Sequence, residues 1–124
     1  MSLALETLAI VILVQRNRFL DEFENIVLKN EKCTAKDLKH KVFVRARFDG
    51  CDFTQCNFIG SKFLECAWHS CNLSLVKIDG CRLQGVEFKD CKCVGVNFGK
   101  CDPLFLKLKF QGCLIDTCNF SDLD

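Results

Sequence analysis

Cysteine is the residue in this chain with the most chemistry to offer, eleven of them in 124 residues. In a short secreted domain such a density reads as a disulfide framework, and at paired spacings as zinc ligation. Cys91 and Cys93, on either side of Lys92, look like half of a metal site. The other candidates are sparse. His40 and His69 have no nucleophile and acid at a spacing that would make a triad. No glycine-rich phosphate loop is present, and no pair of carboxylates falls on a shared inward face. What the cysteines can do therefore depends on what positions them.

They are positioned by a repeat. From Phe23 to Pro103 an apolar residue or cysteine recurs at every fifth place, through Leu28, Cys33, Leu38, Phe43, Phe48 and onward to Phe98. The residue two places before each of these centres is small from Ala46 onward, as at Cys51, Cys56, Ser61 and Val76. A period of five matches neither an α-helix nor a flat strand. It matches a chain that turns a corner every five residues and stacks on itself, a solenoid.

In each pentad the centre and the residue two before it share the inward face of an extended segment. Outward places hold Asp52, Asn57, Lys62, Asn72, Arg82, Glu87 and similar polar residues. Four pentads close a square coil of twenty residues, and coils stack at about 4.8 Å with their backbone groups paired. Stacking predicts four columns: Phe23, Phe43, Phe63, Leu83; Leu28, Phe48, Trp68, Phe88; Cys33, Phe53, Leu73, Cys93; and Leu38, Phe58, Ile78, Phe98. Ten of the twelve phenylalanines become inward centres. Trp68, which could pass for a binding platform, is placed in the core.

The period breaks at Pro103, which has no N–H for the neighbouring coil. Two inserted residues restore it, pairing Leu108 with Phe110, Cys113 with Ile115 and Cys118 with Phe120. Asp102 to Lys107 then form a bulge carrying Leu104, Phe105 and Leu106. This bulge is expected to pack over a gap in the wall, with a partner contact as the alternative.

In this register all eleven cysteines face inward and act as small hydrophobes. Stacked neighbours such as Cys51, Cys71 and Cys91 would hold Cβ atoms near the ~4.8 Å coil spacing, against the ~3.8 Å of a disulfide. The expectation is reduced thiols in a reducing, cytoplasmic setting. Cys91 and Cys93 have Cys71 and Cys113 as thiol neighbours, but a column along an axis is not a tetrahedron, so no zinc is expected. No cofactor and no enzyme activity is expected either, because a filled solenoid has no substrate pocket.

Seventeen basic residues nearly balance sixteen acidic ones, which argues against a nucleic-acid or membrane partner. Lys36, Lys39, Lys41, Arg45 and Arg47 form a local basic face against Asp37 alone, read as a solvated surface rather than an anion site. Residues 1–20 are a separate apolar segment, running from Leu3 to Val14 with only Glu6 and Thr7 polar. It is too short to span a bilayer and lacks the features of a signal peptide. A helical cap or association element ahead of the repeats, residues 21–124, is the expected role.

The runs Cys51-Asp52-Phe53, Cys56-Asn57-Phe58, Cys71-Asn72-Leu73, Val96-Asn97-Phe98 and Cys118-Asn119-Phe120 resemble the pentapeptide-repeat family. That pattern is a small residue, Asp or Asn, Leu or Phe, then two variable residues. Cys71 to Leu75 and Cys91 to Phe98 are similar to its Qnr-like branch. The resemblance implies a right-handed quadrilateral β-helix, here about five coils of an all-β solenoid. It also implies protection of a type II topoisomerase, DNA gyrase or topoisomerase IV, from quinolones. Imitating DNA needs an acidic rod, and a net charge of +1 does not supply one. The chain ends at Asp124 without an evident cap, where relatives of the branch usually continue. The first expectation is thus a non-catalytic scaffold with an unknown protein partner, able to form a homodimer through an open coil end.

Overall fold

The structure is a computed structural model that describes residues 22–121, so the expected cap over residues 1–20 lies outside the described residues. What closes a coil is the backbone at every fifth residue. Eighteen described positions, twelve of them not glycine, adopt positive φ, and almost all stand two places after a centre: Asn25, Asn30, Ala35, His40, Arg45, Gly50 and so on. A single left-handed residue between extended segments turns the chain through a corner. Six of the seven glycines stand at such corners, a signal that the reading by hydrophobic period passed over. Gly60 and Gly85 show a second reason for glycine there. The side chains of His40 and Glu65, one coil away, occupy the space a Cβ would need.

Between corners the chain takes one of two forms. On two adjacent faces it forms short strands: β1 (Glu22–Glu24), β2 (Val27–Lys29), β3 (Val42–Val44), β4 (Arg47–Asp49), β5 (Lys62–Leu64), β6 (Ala67–His69), β7 (Arg82–Gln84) and β8 (Val86–Lys89). The other two faces are mostly tight turns, and the residue before the centre sets the difference. Asp52, Asn57, Asn72 and Asn97 each accept a hydrogen bond on Oδ1 from the backbone N–H two residues on, at 3.0–3.1 Å. Such Asx turns satisfy a corner donor locally. Where Lys92 replaces Asx, the segment reverts to a strand, β9 (Lys92–Val94). Lys32 and Lys77 are exceptions, keeping their turns through a Lys36 N–H to Cys33 carbonyl bond of 3.1 Å and a Cys81 N–H to Ile78 carbonyl bond of 3.0 Å.

All pairing is parallel. β1, β3, β5 and β7 form one sheet; β2, β4, β6 and β8 form the next, extended by β10 (Leu108–Gln111); β9 pairs with β11 (Leu114–Asp116). The register is twenty residues, Phe23 opposite Phe43 and Phe48 opposite Trp68, until the bulge lengthens it to twenty-two, Phe88 opposite Phe110 and Cys93 opposite Ile115. This is the two-residue insertion that the sequence implies. The architecture is a parallel-strand β-solenoid of about five turns.

The interior is a stack of rings. Phe43 and Phe63 lie 5.1 Å apart with planes 3° from parallel, and Trp68 and Phe88 lie 5.0 Å apart at 2°. Neighbouring columns meet edge to face, as Phe58 does with Phe63 at 84°. An apolar void of about 20 Å³ lies beside Trp68 and Phe88. Its lining offers no polar partner for a water. The Trp68 Nε1–H is buried without a hydrogen-bond partner among the described residues.

Trp68 therefore contributes packing and carries a polar liability. Trp68→Ala is expected to cost about 3–5 kcal/mol in urea denaturation. Trp68→Phe, which removes the orphan N–H, should cost less than about 1.5 kcal/mol. An alanine variant with unchanged stability would contradict a core position for the ring.

Candidate interaction surfaces

The insertion begins just after Asp102. The Asp102 N–H still bonds the Cys81 carbonyl at 2.8 Å, and the ladder resumes with the Lys107 N–H on the Leu83 carbonyl at 3.0 Å. Between them Pro103 offers no donor, and Asp102 Oδ1 caps the Leu104 N–H at 2.9 Å. That N–H holds the Asp102 carboxyl below its usual pKa, with Arg82 at 3.4 Å adding to the effect. Phe105 takes the left-handed corner, φ 57°. Leu106 turns back against the core. Leu104 and Phe105 do not pack over a gap, as was expected of the bulge: they point out, 49% and 64% exposed. Extra residues leave the wall outward because the coil on either side is already filled.

Beyond the bulge the last described coil exposes Leu114, Ile115 and Phe120. Leu114 is an outward residue, whereas Ile115 and Phe120 are inward centres with no further coil covering them among the described residues. Apart from Val27 and Leu75, the exposed large apolar side chains among the described residues all fall between positions 104 and 120. The apolar surface is concentrated at one end.

The basic residues do not gather into one face. Lys41 is buried, because it stands two places before the centre Phe43 and so points inward, with its N–H on Ser61 Oγ at 3.0 Å. Its inclusion in a solvated face is corrected accordingly. Arg45 is paired with Glu24 and Arg47 with Asp49 at 2.8 Å, while Lys39 lies 3.6 Å from Asp37. Lys36 is exposed. His40 is exposed, and His69 Nδ1 approaches Asp49 Oδ1 at 3.9 Å on the outer wall.

The thiols face inward as the register requires. Nine are buried, and Cys113 and Cys118 are half-buried at the end. Among the described residues no three His, Cys, Asp or Glu side chains converge as metal ligands. Cys51, Cys71, Cys91 and Cys113 instead form a row along the axis. Burial pushes Cys33, Cys56, Cys93 and Cys101 up to about 12, from 9.0. Within the row the interaction among neighbouring thiols holds Cys71 higher and Cys51 and Cys91 lower.

The raised thiols make stability depend on pH in one direction. The folded chain keeps protons that the unfolded chain loses above pH 9, so this contribution is intact below about 9 and is lost as pH rises through about 12. The urea midpoint should be flat to pH 9 and fall steadily above it. A flat profile to pH 11.5 would mean that these thiols ionise without opening the core.

The pentapeptide repeats family matches at residues 37–63. No curated protein matches the chain. Among solved structures, QnrB1, a plasmid-mediated fluoroquinolone resistance protein, is similar at TM-score 0.57 and 25% identity, over 89% of this chain and 54% of its own. The chain thus spans about half the length of QnrB1. A pentapeptide repeat protein from the Arabidopsis thaliana thylakoid lumen is similar at TM-score 0.49 and 14% identity, over 84% and 68% of the two chains. The period of five, the four-sided parallel coil and the match over residues 37–63 agree: the chain carries pentapeptide repeats and resembles QnrB1 in fold.

Proposed function

We propose that the protein is a rigid, non-catalytic interaction scaffold that self-associates through the coil carrying Leu114, Ile115 and Phe120, acting in a reducing, cytoplasmic setting. One observation carries this reading. The exposed apolar side chains are gathered on the last described coil and its bulge, while the remaining walls are mostly polar. A second copy meeting that coil would cover Ile115 and Phe120 and pair strand edges that otherwise attract other chains. Leu104 and Phe105 project to the side of this end and offer a contact for a different protein. Among the described residues no helix is long and apolar enough to cross a membrane.

A second reading, protection of DNA gyrase or topoisomerase IV from quinolones, draws on the similarity to QnrB1. A net charge of +1 weighs against it where protection works by imitating DNA. The two readings separate in experiment.

Sedimentation velocity at micromolar concentration should show a dimer, and Leu114→Lys, an outward position, should shift it to monomer. A clean wild-type monomer would sink the self-association reading. For the alternative, expression of the chain should raise the inhibitory concentration of a quinolone several-fold. An unchanged concentration with soluble protein present would dismiss it, whatever the oligomeric state.

A further inference from the structure

Cys51, Cys71, Cys91 and Cys113 repeat one local geometry on four successive coils. Each Sγ approaches the carbonyl of the centre residue in the coil behind it: Leu28 at 3.5 Å, Phe48 at 3.2 Å, Trp68 at 3.3 Å and Phe88 at 3.2 Å. Each also lies 3.4–3.6 Å from the carbonyl two residues before it. Identical contacts on coils in parallel register place the four sulfurs in line. The backbone ladder stacks them directly, from the Asn72 N–H to the Cys51 carbonyl, the Lys92 N–H to Cys71 and the Leu114 N–H to Cys91, at 2.9–3.0 Å. The row begins in the core and reaches the half-buried Cys113.

Elsewhere the columns interrupt their sulfur. Cys66 lies between Ala46 and Val86, and Cys33 is followed by Phe53. Cys81 and Cys101 do share a column, but their Sγ atoms stand 2.8 Å and 3.8 Å from their respective carbonyls, so they are not equivalent sites.

A row of sulfurs cannot surround zinc, which wants four converging ligands. It can hold a metal that is satisfied by two. The zinc–thiolate bond of about 2.3 Å sets an upper figure for a two-coordinate ion, so an in-line sulfur–metal–sulfur unit spans at most about 4.6 Å, against a coil spacing of about 4.8 Å. Thiolates select soft ions, Cu(I) foremost among those of biology. We infer that this thiol row is a binding site for a soft, monovalent, two-coordinate cation of the Cu(I) class, held between stacked sulfurs in the pairs Cys51–Cys71 and Cys91–Cys113.

The exchange balances without any redox step. Two S–H bonds break and both protons leave to solvent. Each sulfur keeps its electron pair and bonds the cation, which is held by two thiolates. One monovalent ion thus replaces two protons, and each metal-bound pair carries one negative charge.

The test uses the reduced full chain under argon, with Cu(I) supplied from its bicinchoninate complex so that weak sites cannot compete. The double variant Cys71→Ala, Cys91→Ala leaves Cys51 and Cys113 isolated and should take two fewer Cu(I) per chain than the wild type. The control Cys56→Ala, Cys66→Ala removes as many thiols outside the row and should take as many Cu(I) as the wild type. Alanine already occupies the equivalent inward place at Ala46, so both variants are compatible with the fold. Equal losses in the two variants, or no uptake by the wild type, would overturn the site. X-ray absorption on the wild type gives a check independent of mutation: two sulfur neighbours per copper are expected, and three or more would overturn the in-line arrangement.

Discussion

Every feature of this molecule depends on the backbone pairing of one coil with the next. The bonds run from Asn72 N–H to the Cys51 carbonyl at 3.0 Å, from Lys92 N–H to Cys71 at 3.0 Å, and so on around the square. They require each coil to return to the same place after a fixed number of residues. That return is achieved by a left-handed residue at each corner, a conformation that costs a non-glycine residue roughly 1–2 kcal/mol. Twelve described corners bear that cost without glycine. The ladder and the filled interior offset it, and no coil could hold its corners alone. Stability is therefore a property of neighbours, as in other one-dimensional repeats.

The same constraint explains why an insertion survives in one place. Two extra residues between Pro103 and Lys107 leave the wall, and the following coil regains its pairing, Leu108 opposite Val86 and Phe110 opposite Phe88. Pro103 sits where the ladder is already interrupted, so its missing donor costs no bond. Asp102 caps the departing chain through its side chain, as Asp52 does for an ordinary corner. The bulge is thus an enlarged Asx turn, and its apolar residues are free to vary because the core does not use Leu104 or Phe105.

Much of this was legible in the sequence because the centre residues alternate cleanly with polar ones. The four columns, the inward cysteines and the shift of register after Pro103 all follow from spacing alone. The direction of the bulge did not follow, since Leu104, Phe105 and Leu106 are equally apolar and only the filled walls beside them decide which one turns in. The burial of Lys41 was readable from its place two before Phe43, but its charge and its position between Lys39 and Arg45 suggested a surface. The corner residues were missed for a different reason. Glycine, asparagine, alanine and histidine have no common hydropathy, and what unites them is a backbone angle.

The division of labour between inward and outward places limits where function can reside. From Ala46 onward the inward place two before a centre accepts Ala46, Ser61, Val76 or any of several cysteines, all small, whereas the coils before it bury Glu31 and Lys41 there. The outward wall must merely stay polar, and its charges largely cancel, as Arg47 does with Asp49 and Arg82 with Asp102. Specific recognition then has two sources that the fold does not fix. One is surface that breaks the polar wall, which occurs together at the bulge and the coil beyond it. The other is chemistry hidden in inward residues of the right size, where a column of Ala and a column of Cys support the same coil and only the thiols can bind anything. A repeat so tolerant in both respects lets either property change without disturbing the ladder that carries it.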